Sequence, residues 1–387
     1  MTLTVSLILV TMTRQFINGG QAIAQGAISA GCNFFAGYPI TPATPILHHM
    51  FRELPKIGGV AIQGEDEIAS IGMCIGAAMA GAKSMTATSG PGMSLYSENV
   101  GLAIMGEVPL VIIDVMRLGP ATGGATTVGQ GDIQFARWGT PGGYPIIALC
   151  PTNPSECYSF TIRAFKLARR FRCPVFLLTD REVVATMSTI EGESHDETVT
   201  EMQDETSTEP EPYMPYSIHE LSDVPYLSPY GGKNIVRFTG STHDENGFLT
   251  KNPDKVGRLN EHLAAKINKH IEEIESVSAD IQKEARTLLV SYGITARSSL
   301  EATHLLREKG KKVSNLTIHS LWPVPVNSIS KALTGIERMV VAELNLGQYK
   351  MEIERVANRI DNRIEVTGIS RIDGELISPR QIMEAVT

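Results

Sequence analysis

Between residues 13 and 190 the chain alternates segments of helical period with segments of strand period, and most of the strand segments are predominantly apolar. Gln21–Ala30 carries small residues at helical spacing. Asn33–Gly37 follows as a short apolar run. Ile68–Ala82 is an Ala/Gly-rich helix with Asp66 and Glu67 at its start, where negative charge suits the helix dipole. Lys83–Thr88 and Val108–Val115 have strand character. Asn153–Phe171 is a helix with Pro154 in its first turn, and Pro174–Leu178 is a strand. Strands that are apolar on both faces and alternate with helices belong in a parallel sheet covered on both sides. This is an α/β chain.

The pattern breaks at Glu191–Tyr230, which is first acidic and then dotted with Pro210, Pro212, Pro215, Pro225 and Pro229. It reads as a linker, partly mobile. Ile235–Gly240, a polar turn and a long charged helix over Asp254–Ser276 complete a connecting region from 191 to 285. A second, smaller α/β unit occupies 286–387. Its strands are Thr287–Tyr292, Lys312–His319, Arg338–Glu343 and Ile364–Thr367, and its helices Thr295–Lys309, stopped by Gly310, and Tyr349–Ile360.

The net charge of −8 is local. Glu191–Glu211 holds nine acidic residues and no Lys or Arg, and the remaining chain carries 34 basic against 33 acidic residues. No basic stripe survives to bind nucleic acid. No apolar run approaches the ~18 residues of a membrane span, and Met1–Thr13 lacks the basic start of a signal peptide. Five cysteines without a CxxC pair argue against a disulfide framework, a zinc ribbon or an iron–sulfur ligand set. A reducing cytoplasm is the expected location.

Four segments carry chemistry. In Gly37-Tyr38-Pro39-Ile40-Thr41-Pro42 two prolines stiffen a loop and hold the Thr41 hydroxyl between them; a rigid structural turn is the alternative. Gly64-Glu65-Asp66-Glu67 brings carboxylates to a helix start, either as ordinary dipole complement or facing a cleft at the carboxyl end of a strand. Thr86-Ala87-Thr88-Ser89-Gly90-Pro91-Gly92 is a strand followed by a glycine turn. It lacks the Gly-Lys-Ser/Thr ending of a phosphate loop, so close approach of a flat ligand is as good a reading. In Asp114-Val115-Met116-Arg117, leading to Gly119-Pro120-Ala121-Thr122-Gly123-Gly124, the arginine is a candidate bidentate carboxylate clamp or a surface ion pair. His243-Asp244-Glu245 lies in a polar turn, where consecutive side chains rarely converge on one metal ion, and no metal site is expected.

Taken in order, these segments resemble the alpha subunit of 2-oxoacid:ferredoxin oxidoreductases, nearest the 2-oxoglutarate type. The resemblance runs from about Thr13 to the C-terminus. It also takes in Ala30-Gly31-Cys32, Glu65-Asp66-Glu67-Ile68-Ala69-Ser70, Trp138-Gly139, Ser291-Tyr292-Gly293, Leu321-Trp322-Pro323 and Glu343-Leu344-Asn345-Leu346-Gly347-Gln348.

The resemblance implies that 13–190 is a thiamine diphosphate pyrimidine-binding-type parallel-sheet domain and that 286–387 resembles the transketolase C-terminal domain. It implies catalytic roles for Glu67, Thr41 and Arg117. Glu67 would meet the aminopyrimidine N1′, with Glu65 as the alternative, and Thr41 and Arg117 would face the substrate. Tyr38, Pro39, Ser89, Gly90 and Gly92 would wall the cofactor pocket. The diphosphate half usually needs a Gly-Asp-Gly motif, which Gly131-Asp132-Ile133 is not. A beta subunit is therefore implied to hold Mg²⁺, the diphosphate and a 4Fe–4S cluster, in an α₂β₂ assembly that uses coenzyme A and passes electrons to ferredoxin.

Arg137 and His48 are candidates for the distal end of 2-oxoglutarate. Action on branched-chain 2-oxoacids and a non-catalytic scaffold role are the competing readings. Pro45 stands where family members often have a polar or acidic residue, and residues 1–12 precede the region of resemblance.

Overall fold

The structure is a computed structural model and describes residues 13–192 and 211–386. The chain opens with β1 (Thr13–Asn18) and α1 (Gly19–Ser29). Asn18 caps α1 reciprocally: its side chain accepts the Gln21 N–H at 2.8 Å while Gln21 accepts the Asn18 N–H at 3.1 Å. There follow β2 (Phe34–Gly37), α2 (Thr44–Glu53), β3 (Val60–Gln63), α3 (Glu67–Met79), β4 (Ser84–Thr88), α4 (Pro91–Met105) and β5 (Leu110–Met116). The first unit closes with α5 (Ile133–Trp138), β6 (Ile147–Leu149), α6 (Pro154–Phe171), β7 (Pro174–Asp180), α7 (Arg181–Ala185) and β8 (Met187–Gly192).

After the connecting region come α8 (Pro253–Asn268), α9 (Ile271–Ile274), β9 (Val277–Asp280), β10 (Thr287–Ser291), α10 (Thr295–Glu308), β11 (Val313–Ile318) and β12 (Ser320–Trp322). The C-terminal elements are α11 (Val326–Ala332), β13 (Arg338–Glu343), α12 (Lys350–Ile360), β14 (Glu365–Ser370) and α13 (Pro379–Val386).

The main sheet has seven strands in the order β12-β6-β7-β5-β4-β2-β3, parallel except for β12. Its middle strands β4, β5 and β7 are buried at every residue, as expected of central strands covered on both faces, although Thr86, Thr88, Asp114, Thr179 and Asp180 interrupt their apolar character. Alternate side chains feed the two core layers on either face: Val111, Ile113 and Val115 one, Leu110, Ile112 and Met116 the other. The second sheet runs β14-β13-β10-β11-β9, parallel except for β9. Both expected units are therefore α/β sheets.

Two readings of the connecting region change. The helix expected over Asp254–Ser276 ends at Asn268 and resumes only as the short α9, and beyond it Val277–Asp280, for which the sequence suggests no element, is a strand pairing antiparallel with Asn315–Ile318. That strand is set by pairing with a distant segment, which local pattern does not show. Of the linker expected over Glu191–Tyr230, the described residues 211–230 are irregular, as expected, but they are tied down rather than loose. Arg172 donates to the carbonyls of Pro215 at 3.0 Å and Pro225 at 3.1 Å, and the Tyr230 N–H donates to Met79 O at 2.9 Å. Most of the acidic stretch Glu191–Glu211, and residues 1–12, lie outside the described residues.

The two units interlock. Strand β12 leaves the second unit to pair with β6 of the first. The Gln130 N–H donates to Leu344 O, its side-chain oxygen accepts the Leu344 N–H, and its carbonyl accepts from the Asn345 amide. Gln130 also donates to Asp180, whose Oδ2 accepts the Ile294 N–H at 2.8 Å. Among the described residues no helix is long and apolar enough to cross a membrane.

Candidate active site

All four segments leave the carboxyl ends of adjacent parallel strands. Tyr38–Thr41 follows β2, Glu65–Glu67 follows β3, Ser89–Gly92 follows β4 and Arg117 follows β5. Ligands of open α/β sheets bind in the crevice outside those ends.

Glu67 is the first residue of α3 and only 6% exposed, whereas Glu65 lies exposed in the preceding turn. Asp66 is the N-cap and accepts the Ala69 N–H at 2.7 Å, so the capping work falls to Asp66 and leaves the Glu67 carboxylate for something else. That carboxylate lies against the start of α4. A Cβ on Gly92 would overlap the Thr88 hydroxyl and stand 3.0 Å from both Glu67 Cγ and Oε1. Nearby, Thr86 Oγ1 and Tyr96 OH share a bond of 2.7 Å, and burial pushes the Tyr96 phenol far up. The Thr88 and Ser89 hydroxyls are buried without a hydrogen-bond partner, and such atoms in a native interior call for an explanation.

The turn after β4 is the entry to α4. Gly90 sits before the helix at φ +39°, and a Cβ there would stand 3.1 Å from Ala121 O and 3.6 Å from Arg117 Nε. Glycine is favoured there because the left-handed backbone strains any other residue and a side chain would crowd the Ala121 carbonyl.

Arg117 is 4% exposed, which removes the surface ion-pair reading. Its guanidinium donates to Thr41 O and, at 3.0 Å, to Thr122 O, while its Nε has no partner. It thus joins the loops after β2 and β5 and retains unused N–H groups. Thr41 is exposed, and its carbonyl makes this link. Tyr38 and Pro39 lie on the same exposed loop.

Two acids at this site carry no role from sequence reasoning. Asp114 lies in the middle of buried β5, in register with Thr88, and both of its carboxyl oxygens lack partners. Asp132 occupies the N-cap of α5 without capping it, and its Oδ2 is likewise shut away and unpartnered. Burial and the facing Asp132 carboxyl raise Asp114 well above the ordinary carboxylate range; the Gly90 N–H and Arg117 act the other way. The one signal in the sequence is an aspartate inside the apolar run Leu110–Met116.

The other candidates are occupied elsewhere. Arg137 donates to Gly143 O at 3.0 Å and Tyr144 O at 2.8 Å and lies over the Trp138 ring. His48 is an exposed residue of α2. His243 is buried edge-on to Tyr216, while Asp244 accepts the backbone N–H of Asn246 and Phe248, so this triplet builds a turn. Among the described residues no three His, Cys, Asp or Glu side chains are grouped to hold a metal ion.

Comparison with known proteins defines the class. Residues 25–260 match the family described as pyruvate flavodoxin/ferredoxin oxidoreductase, thiamine diphosphate-binding, and residues 285–382 match pyruvate:ferredoxin oxidoreductase core domain II. The chain is 41% identical to the 2-oxoglutarate synthase subunit KorA of Methanothermobacter thermautotrophicus, over 96% of this chain and 97% of that one. To the ketoisovalerate oxidoreductase subunit VorB of the same organism it is 32% identical, over 97% of each chain. The solved 2-oxoglutarate:ferredoxin oxidoreductase from Magnetococcus marinus, with 2-oxoglutarate, coenzyme A and succinyl-CoA bound, superposes with a TM-score of 0.87 at 31% identity. That match covers 96% of this chain and 64% of the Magnetococcus chain.

The fold and the site thus define an oxidoreductase subunit with a thiamine diphosphate-binding domain. Within that class the chain belongs to the KorA family, the alpha subunits of 2-oxoacid:ferredoxin oxidoreductases of the 2-oxoglutarate type.

Proposed function

We propose that this chain supplies the pyrimidine half of a thiamine diphosphate site and the substrate clamp of a 2-oxoglutarate:ferredoxin oxidoreductase. The observation that carries this reading is the buried Glu67 carboxylate, freed from capping by Asp66 and set against the bare backbone of Gly92. The residues present suit the aminopyrimidine end of the cofactor: a shielded acid, two unpartnered hydroxyls and a glycine turn that admits a flat ring. For the diphosphate end the family resemblance calls for a Gly-Asp-Gly motif, and Gly131-Asp132-Ile133 is not one. By family resemblance a beta subunit supplies Mg²⁺, the diphosphate contacts and the 4Fe–4S cluster in an α₂β₂ cytoplasmic enzyme.

When bound, the cofactor supplies the electron sink for decarboxylation. The protein residues do the rest. Glu67 shares a proton with ring N1′ and so sets the ring's acid–base state. Arg117, held by Thr41 O and Thr122 O, binds the substrate carboxylate with its remaining N–H groups. Tyr38, Pro39 and the Thr41 hydroxyl line the approach, and Ser89, Gly90 and Gly92 wall the ring. Coenzyme A takes the acyl group and ferredoxin the electrons. The greater identity to KorA than to VorB from one organism, 41% against 32%, favours 2-oxoglutarate over a branched-chain substrate.

The test is reconstitution with the beta partner, followed by 2-oxoacid-dependent viologen reduction and exchange of the cofactor C2 proton. Glu67→Gln keeps size and hydrogen bonding and should cut both by about 10²–10⁴-fold, while Glu65→Gln leaves them near wild type. The reverse result moves the role to Glu65. No effect from either substitution favours the scaffold reading. A kcat/KM larger for 2-oxoisovalerate than for 2-oxoglutarate would overturn the substrate assignment.

A further inference from the structure

The mechanism above leaves one group of buried polar atoms unused. Asp114 projects from the middle of a fully buried strand with both carboxyl oxygens unpartnered. Asp132 stands where an aspartate would normally cap α5, yet it makes no capping bond, and its buried Oδ2 is also unpartnered. The two carboxyls face each other. The Gly90 N–H and the Arg117 guanidinium are the groups turned toward both. Two facing acceptors become satisfied together when one proton lies between them, and two facing carboxylates at a buried site cannot both be ionised. A pair holding one proton carries a single negative charge, which balances Arg117. Without it that cation would be buried on carbonyl partners alone, a costly arrangement.

We propose that Asp114 and Asp132 form a one-proton carboxyl pair that positions Arg117 and takes up a second proton from solvent when an anionic carboxylate reaches that guanidinium. The proposal rests on the reading of Arg117 as the substrate clamp. Charge balances at each stage. In the free site the pair is −1 and Arg117 is +1. With the substrate carboxylate bound, the added −1 is offset by the proton that neutralises the pair. Asp114 and Asp132 touch neither substrate nor cofactor, so they are positioning residues. The sign follows by linkage: if binding takes up a proton, affinity falls as pH rises past the free pair's titration.

The experiment uses the reconstituted alpha–beta enzyme and has two readouts. The first needs no substrate. The infrared carbonyl band of protonated carboxyls is compared between wild type and Asp132→Asn near neutral pH. The difference should contain one band, because the amide introduced by the substitution donates to Asp114 and lets it ionise. Absence of that band, or its persistence in both Asp132→Asn and Asp114→Asn, overturns the pair.

The second readout is the competitive inhibition constant of glutarate, an unreactive dicarboxylate, measured from mildly acidic to mildly alkaline pH. In wild type it should rise with pH by up to about tenfold per unit, and in Asp132→Asn the slope should flatten. A purely structural pair would shift the constant equally at every pH. A flat wild-type profile overturns the proton coupling, and this measurement stands even if the variants fail to assemble. If Arg117→Lys leaves the glutarate constant unchanged, the clamp reading falls and the coupling with it, whereas the infrared band still decides whether the pair shares a proton.

Discussion

The two ends of strand β5 hold the same ingredients in opposite proportion. Just before its amino end, the buried Glu107 carboxylate accepts from Lys266 Nζ at 2.7 Å and meets His262 Nε2 at 3.1 Å, and the Arg172 side chain donates to Glu107 O at 3.2 Å. Near its carboxyl end, Asp114 faces Asp132, and the two share the influence of Arg117. Where basic groups outnumber the acid, burial alone would raise Glu107, but Lys266, His262 and Arg172 outweigh it and hold the carboxyl below the ordinary range. Where acids outnumber the base, burial and mutual repulsion raise Asp114.

The first cluster is a lock. Its partners come from α6–β7 and from α8, and Arg172 also binds the carbonyls of Pro215 and Pro225, so one buried acid fastens the connecting region onto the first unit. The second cluster leaves more atoms without partners, both Asp114 carboxyl oxygens, Asp132 Oδ2 and Arg117 Nε, and lies toward the carboxyl ends of the strands. Both clusters leave a buried carboxyl oxygen without a partner, Glu107 Oε1 in the first, so what separates them is charge: surplus base goes with architecture here, and surplus acid with chemistry.

The sharpest way to break this contrast is Lys266→Met. It leaves Glu107 buried without its nearest cation, and stability of the assembled enzyme to denaturant should fall by about 3–5 kcal/mol. The double variant Glu107→Leu, Lys266→Met should recover most of that loss. If Lys266→Met is neutral, the lock is elsewhere. At the other end, Arg117→Lys keeps the charge but loses the fork that spans Thr41 O and Thr122 O. Charge-assisted bonds are worth about 1.5–3 kcal/mol, so the KM for 2-oxoglutarate should rise by roughly 10- to 100-fold with assembly retained. An unaltered KM would make Arg117 a loop brace only. Gly92→Ala places a methyl into the Thr88 hydroxyl and beside Glu67. Overpacking of this kind costs about 1–3 kcal/mol, and turnover should drop more than thermal stability. Thr88→Ala in the same chain should restore part of it.

The fold class and the four loops are legible in the sequence, because a parallel sheet writes itself as apolar runs and its functional loops as Gly, Pro and charge at their ends. Glu67, Thr41, Arg117, Gly90 and Gly92 do gather at one edge of the sheet. Less legible is anything that depends on distant pairing. The four-residue strand Val277–Asp280 carries no pattern of its own, and its strand partner lies far along the chain at Asn315–Ile318. The connecting region has a loose composition because its restraints are single side chains, Arg172 and Lys266, acting across long stretches of chain. The Asp114–Asp132 pair is hidden for the same reason: a lone aspartate in an apolar run announces a cost but not what offsets it. The residues around Arg117 allow a free clamp or a surface ion pair, and neither pattern reveals that its first partners are backbone carbonyls.

The smallest expected effect tests the contrast most directly, since the two clusters should respond to pH with opposite signs. Glu107 is depressed in the folded state. Its contribution is fully present above the ordinary carboxylate pKa and is lost as pH falls through its folded value. The penalty of Glu107→Gln should therefore be largest near neutrality and shrink in acid. Asp114 is raised in the folded state, so the folded chain holds a proton that the unfolded chain releases. Its stabilising contribution is present in acid and is lost as pH rises through the folded value. Relative to wild type, Asp132→Asn should thus look worse in mild acid than above neutrality, by about 1.4 kcal/mol for each unit of raised pKa relieved. Unfolding free energies of both variants across the same pH series supply the comparison. Parallel slopes would mean that the two ends of β5 are electrostatically alike and that the crevice acids are one more structural cluster.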